Sequence, residues 1–451
     1  MRMTRTGLAW GLACLVNHSL LASAPQDSGI EMTTLQRQAT TSSLARHAAK
    51  DAHEPVNGSI RTAAHSSAEP TFNDGPSSEP GYARGPSSDV YFGSSASDSL
   101  FNYQSMSRYR PQQWHLMPQS PFGLNFGGFT SIGYHTDGLG SSLYLMPNRV
   151  HLEQQWFYAE KIADGRQGLG LGGRIDYVYG SNAQFFQAAG LGTNGWDNSF
   201  DNGFPYGHAL PQAYGEAAYG DFSVKVGHFL KITGFEAVQA NKNFFNSRQL
   251  SFANLPFNHS GALTEYRVNS DTTLLNGYVM GLSTAFEDGG DAYIGGISHR
   301  WNDRTNFTYT TVLGRLYENL GGFGGRDVGQ IHSLILSNAL TDRLSFVNET
   351  NLYIAKSNGG TGEMVSNTSY FFYDVSERLA LGSRSEYFHV TDVFDDSSDI
   401  FTQTLGVNVK PSSNLSIRPE VRWVFDPAPL GINGGPDTSN TIFGIDAIFV
   451  F

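Results

Sequence analysis

Arg418, Glu420 and Arg422 occupy every second position of "LSIRPEVRWVF", interleaved with Leu415, Ile417, Pro419, Val421, Trp423 and Phe425. Successive side chains of an extended strand point to opposite faces. One face of this segment therefore carries charges of both signs and the other is apolar. The split recurs where Lys225 opposes Phe222, Val224 and Val226, and where Arg384 and Glu386 oppose Leu379, Leu381 and Tyr387. Fixed charges of both signs on a wet wall either pair with one another or set up a transverse field that sorts solutes by charge and dipole. Covalent chemistry needs other patterns. There is no Gly-x-Ser-x-Gly elbow, no His-Glu-x-x-His and no phosphate-binding Gly loop. His259 and Ser260 are adjacent, so on a strand they point apart and cannot pair as base and nucleophile. Asp392, Asp395, Asp396 and Asp399 match no calcium-loop spacing and read as a solvated loop.

Composition narrows the class. The chain has 451 residues, 51 glycines, 13% aromatic residues and only 16% charged residues. Strands favour Tyr, Phe and Thr, and turns need Gly, so the balance points to β structure. The formal net charge of −12 excludes a basic field for phosphates, and no nucleic-acid partner is expected. The only cysteine is Cys14. It falls in the export segment described next, so no disulfide or thiolate site is expected in the mature chain.

Arg2 and Arg5 precede the apolar run "GLAWGLACLV", and "ASA" at Ala22–Ala24 resembles a cleavage site. Residues 1–24 are read as a secretory signal peptide. Residues 25–115 are rich in Ser, Ala, Pro and His, with "GPSS" repeated ten residues apart. Such a stretch buries too little apolar surface to offset its ordering entropy and is expected to be a disordered linker. Nothing later has about 18 unbroken apolar residues, so no transmembrane helix is expected. An exported chain can still cross a membrane as a closed β-barrel.

Residues 116–451 carry the repeating pattern. Short polar turns lead into alternating runs such as "NDRTNFTYTTVL" and "TDRLSFVNET", whereas Gly- and Asp-rich stretches such as "LYENLGGFGGRDV" separate the pairs. Tight turns on one rim and long loops on the other characterise an outer-membrane barrel. About 16 strands of about ten residues can be placed, enough for tilted membrane-spanning strands. The expected fold is thus all-β: a closed antiparallel transmembrane β-barrel of about 16 strands with a disordered N-terminal extension. Pro419 removes a ladder hydrogen bond and predicts a bulge in its strand.

Two stretches carry a family resemblance. The end of the chain, "TIFGIDAIFVF", places Phe443, Ile445, Phe449 and Phe451 on one face and resembles the C-terminal signal read by the barrel-assembly machinery. Asp446 alternates to the inner face. The second stretch, residues 210–269, contains "PQAY" at 211–214, "KVGHF" at 225–229, Gly234-x-Glu236, "NFFNSR" at 243–248 and "PFNHSG" at 256–261. It resembles the β-barrel porin-2 (OmpL-like) family over about residues 110–451. The resemblance implies a bacterial outer-membrane barrel with a pore, embedded in outer-membrane lipid, with no cofactor and no enzymatic activity. By analogy with porins of this size, a homotrimer is expected.

The connection 231–258 follows the fifth strand and would be the third external loop, which in general porins folds inward. Lys231, Glu236, Lys242 and Arg248 lie on it. With Lys225, Arg384, Glu386, Arg418, Glu420, Arg422 and Asp446 from the wall, they are the expected pore-lining and constriction residues. Passive diffusion of small hydrophilic solutes or ions is the expected function. The alternative is a non-conducting barrel that scaffolds an enzyme or adhesin.

Overall fold

The computed structural model describes residues 123–139, 143–188, 196–197, 205–286, 289–318, 326–357, 360–391, 397–425 and 440–451. The signal-peptide segment 1–24 and the linker 25–115 lie outside the described residues, as do Asp392, Asp395 and Asp396.

Sixteen antiparallel strands close into one barrel. They are β1 (124–135), β2 (151–161), β3 (170–180), β4 (207–219), β5 (222–230), β6 (258–269), β7 (272–279) and β8 (291–302), then β9 (305–318), β10 (326–339), β11 (344–357), β12 (360–376), β13 (379–391), β14 (397–409), β15 (415–425) and β16 (440–450). Every strand placed from the alternation is present. Neighbours in sequence are neighbours in the wall, and β1 pairs with β16 from Phe129↔Val450 to His135↔Gly444. Closure removes both sheet edges, which a membrane requires because lipid cannot satisfy open backbone groups.

Connections follow the predicted asymmetry. The rim that holds the start of β1 and the end of β16 has short turns, such as 220–221, 270–271 and 303–304. The other rim holds the longer spans 136–150, 181–206, 231–257 and 280–290. One connection departs from this. β11 and β12 continue pairing up to Ser357↔Gly360, so this rim also has one short connection. β7 is the shortest strand of the wall, and Gly281 and Ser283 adopt positive φ just past its end.

The expected bulge at Pro419 is absent. Pro419 stays in register with Ile445 on β16, and β14–β15 keeps one register on either side of the gap between Gly406↔Glu420 and Val409↔Ile417. The missing N–H interrupts the ladder without inserting a residue.

Alternation assigns the two faces. On β16, Phe443, Ile445 and Phe449 are exposed on the outside, whereas Ile442, Asp446 and Ile448 are buried inside. On β15, Arg418, Glu420 and Arg422 are buried in the interior, opposite outward Val421 and Trp423. Phe451 secures the seam. Its backbone exchanges hydrogen bonds with Gly128 at 2.9 and 3.0 Å, and its ring stands 5.8 Å from that of Phe157. A Cβ on Gly128 would meet the Trp156 carbonyl at 2.1 Å and the Phe451 ring at 3.0 Å. Gly128→Val is therefore expected to cost about 1–3 kcal/mol of barrel stability. The check is the urea midpoint of the refolded barrel in detergent, which should fall.

Candidate functional site

The 231–257 loop leaves β5 at the long-loop rim and turns into the barrel. It has no sheet partner along most of its length. Its structure consists of two short 3-10 turns, Ala240–Lys242 and Leu250–Asn254. Buried main-chain groups must nevertheless be hydrogen-bonded. The wall supplies the partners through its charged and amide side chains.

Glu420 accepts from the N–H of Asn246 at 2.8 Å and of Ser247 at 3.3 Å. It also accepts from the Tyr144 hydroxyl, on the 136–150 loop, at 2.7 Å. Glu386 accepts from the N–H groups of Leu250 and Ser251 at 2.9 and 3.2 Å, which caps the second 3-10 turn with a carboxylate. Glu349 accepts from the Phe235 N–H at 3.1 Å. Gln154 takes both ends of a peptide stretch, accepting from Ala240 N–H at 3.0 Å and donating to the Val238 carbonyl at 3.2 Å.

The arginines serve the carbonyls. Arg418 donates to the carbonyls of Ala240 and Asn243 at 3.0 and 2.6 Å, and its Nε donates to Asp446 at 2.8 Å. Arg422 donates to the Arg248 carbonyl at 2.6 Å and lies 3.5 Å from Glu386. Arg384 donates to Glu236 at 2.6 Å, to the Ser247 carbonyl at 2.9 Å and to the Ser247 hydroxyl at 2.8 Å. Glu236 in turn accepts from Gln249 N–H at 2.8 Å and from the Tyr370 hydroxyl at 3.3 Å.

Shape matches charge. Phe244 and Phe245 pack against the wall in a cluster with Phe235, Val347, Tyr370 and Phe372. Two glycines make room. A Cβ on Gly382 would stand 2.3 Å from the Phe244 ring, and one on Gly406 would stand 2.9 Å from the Phe245 ring.

The structure thus brings Glu236, Arg248, Arg384, Glu386, Arg418, Glu420, Arg422 and Asp446 into one interior cluster. Lys231 joins it, with its ammonium 4.2 Å over the Phe252 ring. Arg248 turns back on its own loop and donates to the Asn246 carbonyl at 2.9 Å. Lys242 stands on the first 3-10 turn. Lys225 lies elsewhere on the interior wall, opposite Glu216 on β4 and 4.4 Å over the Tyr214 ring. Its neighbourhood includes Arg174, paired with Asp176 at 2.6 Å and Glu160 at 3.4 Å. Glu386, Glu420, Arg384, Arg418 and Arg422 thus also bond the loop main chain. Glu349, Gln154, Tyr144 and Tyr370 escaped the sequence reading. Each does alternate to the inner face or sit in a loop, but neither fact marks a loop anchor.

The His259–Ser260 pair is separated as expected, yet Ser260 finds a different histidine. His228, its register partner on β5, lies 2.8 Å away, and the serine hydroxyl donates to the Thr284 carbonyl. Both side chains are wholly buried, leaving no surface for a substrate. Asp399 accepts from Tyr387 at 2.7 Å and pairs with His389 at 2.9 Å. Among the described residues, no group of three His, Cys, Asp or Glu could hold a metal ion.

A closed sixteen-strand barrel with an apolar exterior, a charged interior and a loop folded inward is an outer-membrane barrel of the porin class. Residues 123–451 match the family described as "Putative beta-barrel porin-2, OmpL-like", and the chain belongs to that family, which places it in the bacterial outer membrane. Among solved structures it is similar to the loop-L8 deletion of OmpT, an outer membrane protein of Vibrio cholerae. The identity is 12% and the TM-score 0.51, over 73% of this chain and 99% of that one. In-vitro-folded OmpT of the same organism is similar at 12% identity and a TM-score of 0.50, over 74% and 100%. An anion-selective porin from Comamonas acidovorans follows at 11% and 0.49, over 73% and 99%. At such identities the likeness is one of fold. No curated protein sequence matches the chain.

Arg384→Met leaves Glu236 buried without its cation, a loss expected to cost about 3–5 kcal/mol. The urea midpoint should fall, and the 231–257 loop should become cleavable by protease in detergent. Pairing the change with Glu236→Gln should restore part of the loss.

Proposed function

We propose that the barrel is a porin: a water-filled channel for passive diffusion of small hydrophilic solutes or ions, needing no cofactor and catalysing no reaction. The observation that supports this reading is the 231–257 loop, folded across the interior and tied to the wall by Arg384–Glu236 and by the Glu386 and Glu420 carboxylates. A barrel of this strand number is too wide for its own side chains to fill, so an inward loop sets the bore. Lys225, Lys231, Glu236, Lys242, Arg248, Arg384, Glu386, Arg418, Glu420, Arg422 and Asp446 are proposed as the charged lining of that bore. Phe443, Ile445, Phe449 and Phe451 are proposed as the strand signal for the barrel-assembly machinery. We further propose that the barrel works as an oligomer, a homotrimer being the expected form.

One observation favours the second reading, a non-conducting scaffold. Arg384, Arg418, Arg422, Glu386 and Asp446 are no more than 3% exposed, as in a packed interior. Planar-bilayer recordings decide between them. The porin reading expects stepwise conductance from the purified barrel, and a severalfold larger step when residues 235–253 are replaced by a short Gly-Ser linker. A folded barrel that is silent in both forms would establish the scaffold reading instead.

A further inference from the structure

The outer face of β11–β14 carries a polar island where lipid should lie. Asn348 and Thr350 on β11, Asn367 and Ser369 on β12, Ser383 and Ser385 on β13, and Gln403 on β14 all point outward near the middle of their strands. They are contiguous, because Asn348 faces Ser369, Ser369 faces Ser385, and Ser385 faces Gln403 across the ladders. Apolar residues ring them. Phe346 and Phe371 lie towards the short-turn rim, and Leu352 and Val365 towards the other. Leu334 and Leu336 border them on β10, and Trp423 borders them on β15. Polar groups elsewhere on the outside include the pairs Thr130–Gln155 and Asn276–Tyr293. On β9 and β10, Tyr309, Thr311 and His332 form a further polar set beyond the Leu334 and Leu352 border.

Side chains within the island bond one another. Asn348 donates to Asn367 at 3.2 Å and to Ser369 at 3.0 Å, and Asn367 donates to Thr350 at 2.8 Å. Ser385 donates to Gln403 at 2.5 Å, and Gln403 donates to Ser383 at 3.0 Å. Each amide oxygen can accept two hydrogen bonds, and lipid tails can supply none. Within the island, each of the three amide oxygens accepts one. Polar side chains on the lipid face at mid-depth are costly, and the cost falls when another protein wall covers them.

We propose that this face is where copies of the chain meet. The occupant is a second copy, because the island has no ionised group to recruit a charged partner and carries donors and acceptors together. A surface that carries donors and acceptors together can hydrogen-bond to another copy of itself, whether two copies meet across a two-fold axis or several meet side by side around a ring. In any closed cyclic assembly the same face of every copy turns towards the symmetry axis. By contrast, the outer faces of β15 and β16 are continuous apolar surface suited to lipid, with Ile417, Val421, Phe443, Ile445 and Phe449. The inference rests on the barrel lying in the membrane and is independent of whether it conducts.

The test uses the full chain, purified in detergent and in lipid nanodiscs, with its mass measured by light scattering. The wild-type barrel should be oligomeric. The Asn348→Leu, Asn367→Leu, Gln403→Leu triple variant should keep its heat-modifiable barrel and shift to the monomer mass. In a Cys14→Ser background, Ser385→Cys should form an interchain disulfide on mild oxidation, and Val226→Cys on β5 should not. The cysteine pair decides the matter even if the triple variant fails to fold. A monomeric wild type, an oligomer undisturbed by the leucines, or crosslinking at Val226→Cys but not Ser385→Cys would overturn the proposal. Bilayer conductance of the same samples reports separately on the channel reading.

Discussion

Inside a bilayer a backbone N–H or C=O has no water to turn to. This constraint governs the whole molecule. The wall meets it with sixteen strands closed into a ring, sealed where β1 meets β16 and Phe451 reaches Gly128. The 231–257 loop faces a like requirement without a ladder wherever its main chain is buried against the wall. It meets the requirement with borrowed side chains. Carboxylates of Glu349, Glu386 and Glu420 accept from its N–H groups, and guanidinium groups of Arg384, Arg418 and Arg422 donate to its carbonyls.

Those charges are expensive to bury. Desolvating an ion costs several kcal/mol, recovered only when geometry and further hydrogen bonds are good. The arrangement here shares each ion between a counter-charge and the loop main chain. Arg384 has Glu236 and Ser247, Arg418 has Asp446 and Asn243, and Arg422 has Glu386 and Arg248. Gly382 and Gly406 complete the fit by leaving space for the Phe244 and Phe245 rings. Wall and loop therefore specify each other through charge, hydrogen bonding and volume at once.

Legibility in the sequence followed the range of the interactions. Alternation in "LSIRPEVRWVF" or "FSVKVGHF" is a local signal, and it located strands, faces and the inward position of Asp446. The inward loop was legible through its length, its charges and the family resemblance. Its partners were not. Glu236 lies 148 residues from Arg384, and Asn243 lies 175 from Arg418. Nothing local distinguishes Glu349, which anchors the loop, from Glu265, which does not. Lys225 shows the same limit: its inward direction was readable, but its place beside Tyr214 and Glu216, away from the loop anchors, depended on where the loop settled. Pro419 failed differently, since the loss of one donor is absorbed by a gap in the ladder.

The loop's dependence on the last strands also sets an order in time. Residues 231–257 are made early, directly after β5, but Arg418, Glu420 and Arg422 arrive with β15 and Asp446 with β16. Until the seam between β1 and β16 is formed, much of the loop's main chain has no permanent partner. The interior is thus finished last, and a chain cut short before β15 would hold an unfinished loop with nowhere to fasten.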